Sequence, residues 1–422
     1  MPLADRHYDL ALFGASGYTG RLVAEVLHAA TQGQGARERG LRWALAGRRP
    51  TRLAAVRDAI DAGPSLPLLV ADAHDGAALA SLARRARVVV TTVGPYQHHG
   101  EALVTACAEA GTDYVDLCGE PLWMARMIER LQPVAARSGA RIVFSCGFDS
   151  IPFDLGVLVL QQAMQQRFGA PAREVRARVR VMRGGWSGGT VASALATAEA
   201  IAREPALAAR MADPYALTPG FAGPAQPAPQ AGWDDWAGAW CGPFVMAPIN
   251  TKNVHRTHAL RGHPWGTDFR YDERQLTGSG WLGKQRAQAL ARRARLLDTV
   301  LRSATARALA ARWLLPKPGQ GPDRAAREAG RFELLFTGQT AAGERASLVV
   351  SGDRDPGYGA TSRMVCEAAL ALLHDVRRYA TPGGVWTPGA ALGLALVRRL
   401  EAHAGLAFRP EAPDGAPAPG RA

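Results

Sequence analysis

"LALFGASGYTG", Leu10 to Gly20, places three glycines three residues apart directly behind the first apolar run of the chain. Tyr8 to Phe13 reads as a buried strand. Gly14, Ala15, Ser16, Gly17, Tyr18, Thr19 and Gly20 then form a tight turn and the first turn of a helix that the pattern carries to Ala30. A backbone that must approach a pyrophosphate cannot carry Cβ atoms in such a turn, and a helix N-terminus offers unpaired N–H groups and partial positive charge to the phosphates. Glycine is also ordinary turn punctuation, so the rest of the chain has to decide.

Downstream, Leu41 to Gly47, Leu66 to Asp72 and Arg87 to Pro95 read as strands, as do short runs in "DYVDLCGE" and "ARIVFSCGFDS". Helical patterns separate them at Thr51 to Ala62, Ala77 to Arg85, Ala102 to Ala110 and Leu122 to Ser138. This alternation predicts a doubly wound α/β fold, a Rossmann-like parallel sheet with helices on both faces over residues 1–150, and a ligand crevice at the carboxyl ends of the strands. Polar and glycine residues gather at that edge: Arg48, Arg49, Asp72, Val93, Gly94, Pro95, Tyr96, Cys118, Gly119, Glu120, Asp149 and Ser150. The end of the second strand meets the adenosine ribose in this fold, where an acid suits NAD and arginine suits the 2′-phosphate of NADP. Here Gly47 is followed by Arg48 and Arg49, with no acid between Glu38 and Asp58, so the expected cofactor is NADP.

The second half has another rhythm. Glu174 to Met182 alternates Val175, Ala177, Val179 and Val181 with Arg176, Arg178 and Arg180, the period-two pattern of a strand with one solvated face. "RFELLFTGQT" and "RASLVVSGD" read as a hairpin around Ala341 to Glu344. The expectation is a second α+β domain with an antiparallel or mixed sheet over 151–372, serving substrate binding and dimerisation. Segment 373–408 is expected to return to the first domain, and 409–422 to be a disordered tail.

The chain is 47% hydrophobic and 21% charged, the balance of a soluble globular protein. Its net charge of +13 comes almost wholly from arginine, since Lys252, Lys284 and Lys317 are the three lysines among 50 basic residues. Without interleaved aromatics in a compact basic module, this bias does not predict nucleic-acid binding. Five widely spaced cysteines form no Cys-x-x-Cys pair, which argues against a zinc site and a disulfide framework, and no metal-ligand spacing surrounds His98 and His99. No signal peptide is visible at the N-terminus and no apolar run reads as a spanning helix, so the expected location is the cytoplasm. From about Lys284 to Trp313 the pattern predicts a helix bearing Arg286, Arg292, Arg293, Arg295, Arg302, Arg307 and Arg312 against Asp298 alone. Such a helix suits an anionic membrane, an acidic carrier protein or a phosphate-bearing thioester, and equally a plain solvated face.

"GASGYTG", "AGR", "VGPYQHHGE", "DLCGEP" and "GFDSIPFDLG", in that order, with "GGVWTPGAALG" near the C-terminus, resemble the saccharopine dehydrogenase-like oxidoreductases. Within them the pattern is most similar to the branch of bacterial trans-acting enoyl reductases. The resemblance implies an NAD(P)-binding first domain, a mixed second domain carrying much of the acyl or amino-acid site, and hydride transfer to an activated double bond such as that of an enoyl thioester, carrier-bound or free. Tyr96 reads either as a donor beside the nicotinamide or as packing in a rigid turn, and Asp149 and Ser150 read either as catalytic groups or as a helix start before Pro152. No tyrosine stands four residues before a lysine, which excludes the short-chain reductase mechanism. The alternative from a different class is a nucleotide-binding scaffold without catalysis, at a lipid surface or in a synthase complex.

Overall fold

The computed structural model describes residues 6–33, 38–185, 188–307, 309 and 321–411. Its first sheet contains β1 (Tyr8–Phe13), β2 (Trp43–Gly47), β3 (Leu68–Val70), β4 (Ala86–Thr91), β5 (Asp113–Val115), β6 (Arg141–Val143) and, from far down the chain, β13 (Gly384–Trp386). All pairs are parallel, in the order β3-β2-β1-β4-β5-β6-β13. The chain order reverses between β1 and β4, whose register sets Leu10 beside Val88 and Phe13 beside Thr91. β1, β2 and β4 are continuous apolar runs because helices cover both faces; Leu10, Leu12, Leu45, Val88 and Val90 are fully buried.

The second sheet is mixed. β7 (Glu174–Arg183), β8 (Gly232–Asp234), β9 (Ala239–Pro243), β10 (Arg270–Gly278), β11 (Arg331–Gln339), β12 (Arg345–Gly352) and β14 (Leu406–Glu411) lie in the order β14-β12-β11-β7-β10-β9-β8. β7 runs parallel to β10 and antiparallel to β11. The helix Ile151–Phe168 packs on β11 and β12, and the helix Ala247–Leu260 packs on it and on β10. Phe148, Phe153, Phe332 and Phe336 join these layers into one apolar cluster with the first sheet.

Four expectations are altered. The arginine face of β7 is not solvated at its centre: Arg178 is 3% exposed and is held by Asp234 and Asp272, acids that neighbouring strands contribute. The chain returns to the first sheet before residue 373, because the helix Thr361–His374 already packs on β4 and on the helix Tyr18–Gln32. β14 carries ordered backbone three residues into the expected tail, to Glu411, and 412–422 lie outside the described residues. The arginine-rich helix spans Gly280–Arg302 and ends at Ser303, so Arg307 lies beyond it, and Arg312 and Trp313 fall outside the described residues.

Candidate cofactor and active site

Gly14 follows β1 with φ +87°, a conformation that a side chain disfavours, and a Cβ there would lie 2.5 Å from Val93 Cγ2. That contact closes the turn after β1 against the loop after β4. Gly20 is needed for close approach, since its Cβ would meet the Gly14 carbonyl oxygen at 2.2 Å. The helix Tyr18–Gln32 therefore sits directly on the turn, with Gly17 at its N-cap offering no capping side chain. Its first N–H groups have no partner within the helix, as at any helix N-terminus. Ala15 is buried, while Ser16, Gly17 and Thr19 reach the surface. A backbone cradle that Cβ atoms would fill, at a switch point, fits a dinucleotide pyrophosphate.

Arg48 and Arg49 are both exposed at the end of β2 and, among the described residues, neither is in an ion pair. Gly47 brings this end beside the turn, its Cβ position lying 3.9 Å from Ser16 Oγ. Arg48 is close enough to His99 for its charge to help hold that imidazole below its ordinary pKa, after burial, His74 and His98. Asp72 accepts from the His74 N–H (3.0 Å), so its carboxylate is spent on a turn. Tyr18 points away from the cradle: its hydroxyl donates to the Pro322 carbonyl and accepts from Arg327 (2.8 Å), and its ring meets Tyr358 edge-on at 4.7 Å.

The loop after β4 runs through an exposed Gly94, whose Cβ position meets nothing nearer than the Tyr96 ring at 3.5 Å, and Pro95. Tyr96 is 4% exposed, its hydroxyl donating to the Thr91 carbonyl (3.3 Å) and accepting from the Leu117 N–H (3.0 Å). Burial pushes its phenol well above the usual range, so it braces the β4 and β5 loops as a neutral group. Glu120, also buried, accepts from the N–H groups of Tyr96 (2.7 Å) and Gln97 (2.9 Å) and from Ser193 Oγ (2.7 Å) on the helix Gly188–Arg203. It caps the turn behind Pro95 and ties the second-sheet half to the crevice rim. Cys118 is fully buried, and Gly119 stands in open space. Asp116 fixes this loop by accepting from the Cys118 and Ser145 N–H groups (both 3.0 Å) and from Tyr114 (3.0 Å), with burial raising its carboxyl to about 7.

Asp149 and Ser150 follow β6 at the same edge. Asp149 is partly exposed, yet its Oδ1 is sealed from solvent without a hydrogen-bond partner among the described residues, and desolvation raises the carboxyl to about 7. Ser150 is fully buried and accepts from Asn253 Nδ2 (2.8 Å). Sequence reading missed what faces this pair. Asn250 and Asn253, one turn apart on the helix Ala247–Leu260, are fully buried, and each keeps an unpartnered Oδ1. Glu273 on β10 accepts from Asn250 (3.0 Å) and Tyr271 (2.8 Å), and burial, with Asp149 a lesser cause, raises it to about 8. The signal was present in "NTKNVHRTH", a polar run whose Asn pair repeats at helical spacing, but nothing in it marked the run as buried. Orphaned acceptors beside protonatable carboxyls mark a site prepared for a polar ligand or a proton transfer.

Among the described residues no group of acids, histidines and cysteines could hold a metal, and no helix is long and apolar enough to cross a membrane. The profile of the saccharopine dehydrogenase NADP binding domain matches residues 10–143. A Mycobacterium tuberculosis protein named as a trans-acting enoyl reductase is 39% identical over 424 residues, covering 95% of this chain and 97% of its own. A trans-acting enoyl reductase of Mycobacterium ulcerans is 36% identical over 417 residues with the same coverage. The solved saccharopine dehydrogenase (L-Glu forming) of Saccharomyces cerevisiae superposes with a TM-score of 0.52 at 14% identity, over 96% of this chain and 100% of that one, a likeness of fold. With identity of this level running from end to end, the chain belongs to the trans-acting enoyl reductase family of the saccharopine dehydrogenase-like oxidoreductases.

Proposed function

We infer that the protein is an NADP-dependent oxidoreductase that reduces the carbon–carbon double bond of an enoyl thioester. The observation that carries this reading is the end-to-end identity of 36–39% with proteins named for that reaction, which spans both sheets and every element of the crevice. The cradle from Gly14 to Gly20 supports a pyrophosphate, and the free Arg48 and Arg49 support the 2′-phosphate of NADP over the bare ribose of NAD.

When bound, the dinucleotide supplies the hydride. The β-carbon of the enoyl group receives it, the π pair moves to the α-carbon, and that carbon takes a proton. Asp149 is the proton donor in this reading: its carboxyl is held near neutrality by desolvation and its Oδ1 has no competing partner. Ser150 is a positioning residue that anchors the Asp149 loop to Asn253. Tyr96 and Glu120 likewise position the Val93–Pro95 segment on which the nicotinamide end would rest.

The test is NADPH oxidation by purified protein with an enoyl thioester and, separately, with its saturated counterpart. Consumption with the first and none with the second is expected; no consumption with enoyl thioesters of short, medium and long chain would favour the scaffold instead.

A further inference from the structure

The helix Gly280–Arg302 is docked by only part of its length. Gly283 and Ala287 are buried against the second sheet, and Leu290 reaches over β9, where a Cβ on Gly242 would lie 2.9 Å from Leu290 Cβ. The same stripe continues as Ala294, Leu297 and Leu301, about one, two and three turns on, but every residue from Arg292 to Thr299 is exposed and Leu297 is 45% exposed. The first half of one apolar face is covered by this chain, and the second half overhangs.

Where the helix leaves the sheet, a groove of about 610 Å³ opens between Arg286, Leu290 and Arg293 on the helix and Arg180, Leu276 and Thr277 on the strands. Arg180 is shared by Glu333 and Glu411. Among the described residues, Arg286, Arg292, Arg293 and Arg295 have no ion pair, and the single acid of the helix, Asp298, is taken by Arg302. A second copy of the helix would bring like charges together, which opposes self-pairing. A bilayer surface fits poorly into a concave groove. An amphipathic helix with an acidic face fits all three features: it fills the groove, covers Leu297 and Leu301, and pairs with the free arginines.

The helix that lines the groove is also linked to the crevice rim. The helix Gly280–Arg302 packs against the helix Gly188–Arg203, whose Ser193 bonds Glu120 at the rim. We propose that this groove and overhang are the docking surface for an acidic helix of the carrier protein that bears the enoyl thioester. The identity of the partner rests on the enoyl-thioester reading; the surface itself rests on the helix.

The test compares a crotonyl-loaded acyl carrier protein with crotonyl-N-acetylcysteamine as substrates of the full chain and of an Arg286→Glu/Arg293→Glu variant. The variant should lose about tenfold or more in kcat/KM for the carrier substrate through KM, with added salt weakening the wild type in the same direction, and keep its rate on the small thioester. An unchanged rate on the carrier substrate, or equal losses on both, would overturn the proposal. Should the wild type reduce neither, fluorescence anisotropy of labelled carrier separates the two ideas. Saturable binding that the variant loses upholds the surface while the reaction fails. No binding to the carrier, or binding only to phosphatidylglycerol vesicles, overturns the surface.

Discussion

In the proposed reading Arg48 sets the preference for NADP, because it is an exposed guanidinium without an ion pair among the described residues, directly after the glycine that ends β2. A charged hydrogen bond contributes roughly 1.5–3 kcal/mol, so Arg48→Ala should weaken NADPH binding by about tenfold or more and leave NADH little changed. Titration of both cofactors checks this, and equal losses would remove Arg48 from the 2′-phosphate. Gly94 is open toward the crevice, with room for a Cβ as far as the protein is concerned. Gly94→Val should therefore fold, with an unaltered melting temperature, and fail to bind NADPH; normal affinity in a folded variant would move the nicotinamide elsewhere. Asp149→Asn keeps the shape and removes the proton. General acid catalysis contributes about 10²–10⁴-fold, so kcat should fall by that order. In the wild type the rate should decline as pH rises through about 7, where the carboxyl ionises, and in the variant that limb should vanish. A retained limb would assign it to another group.

Among the elements, the turn and the helix Tyr18–Gln32 behave as one body. A methyl at Gly20 would press on the backbone of Gly14 and Ala15, which cannot swing aside as a side chain can. Overpacking costs about 1–3 kcal/mol, and Gly20→Ala should both lower the melting temperature and weaken NADPH binding, measured by thermal shift with and without cofactor. The glycine spacing made this element legible, and the alternation of strands and helices made the first sheet and its carboxyl edge legible with it. β13 was not, because Gly384–Trp386 is three residues long and its partner, Arg141–Val143, lies some 240 positions earlier. The solvation of the β7 face was misread for a related reason. Alternation reports that two faces differ, but the acids covering Arg178 come from β8 and β10, so the strand itself carries no sign of them. The half of the candidate site on the helix Ala247–Leu260 was illegible because a helix buried nearly all round, with polar residues spread around it, has neither an apolar stripe nor a charged face. Tyr96 was legible as important but its role was not: only the hydrogen bonds to Thr91 and Leu117 distinguish a brace from a donor.

At the scale of the whole molecule, desolvation raises four carboxyls of the described residues far above their ordinary range: Asp116, Asp149 and Asp154 to about 7 and Glu273 to about 8. Each is raised by desolvation, so the folded state holds protons that the unfolded chain has already released between about pH 4 and 7–8. Their contribution to stability is full below pH 4 and is lost as pH rises through 7 to 8. Melting temperature should accordingly fall from pH 5 to 8.5, and Asp149→Asn should flatten part of that slope; a melting temperature that climbs across the interval would mean that these carboxyls are ionised in the fold. The same chemistry joins the two halves of the molecule, since Asp149, which follows the first sheet, lies near enough to Glu273 on the second to help raise its carboxyl. Reduction with NADPH deuterated at the transferring position of C4, followed by mass spectrometry of the acyl product, tests this most directly. One deuterium at the β-carbon and a solvent proton at the α-carbon are predicted. Product without label, or deuterium at the α-carbon or the carbonyl carbon, would contradict the assignment of this protein as an enoyl thioester reductase.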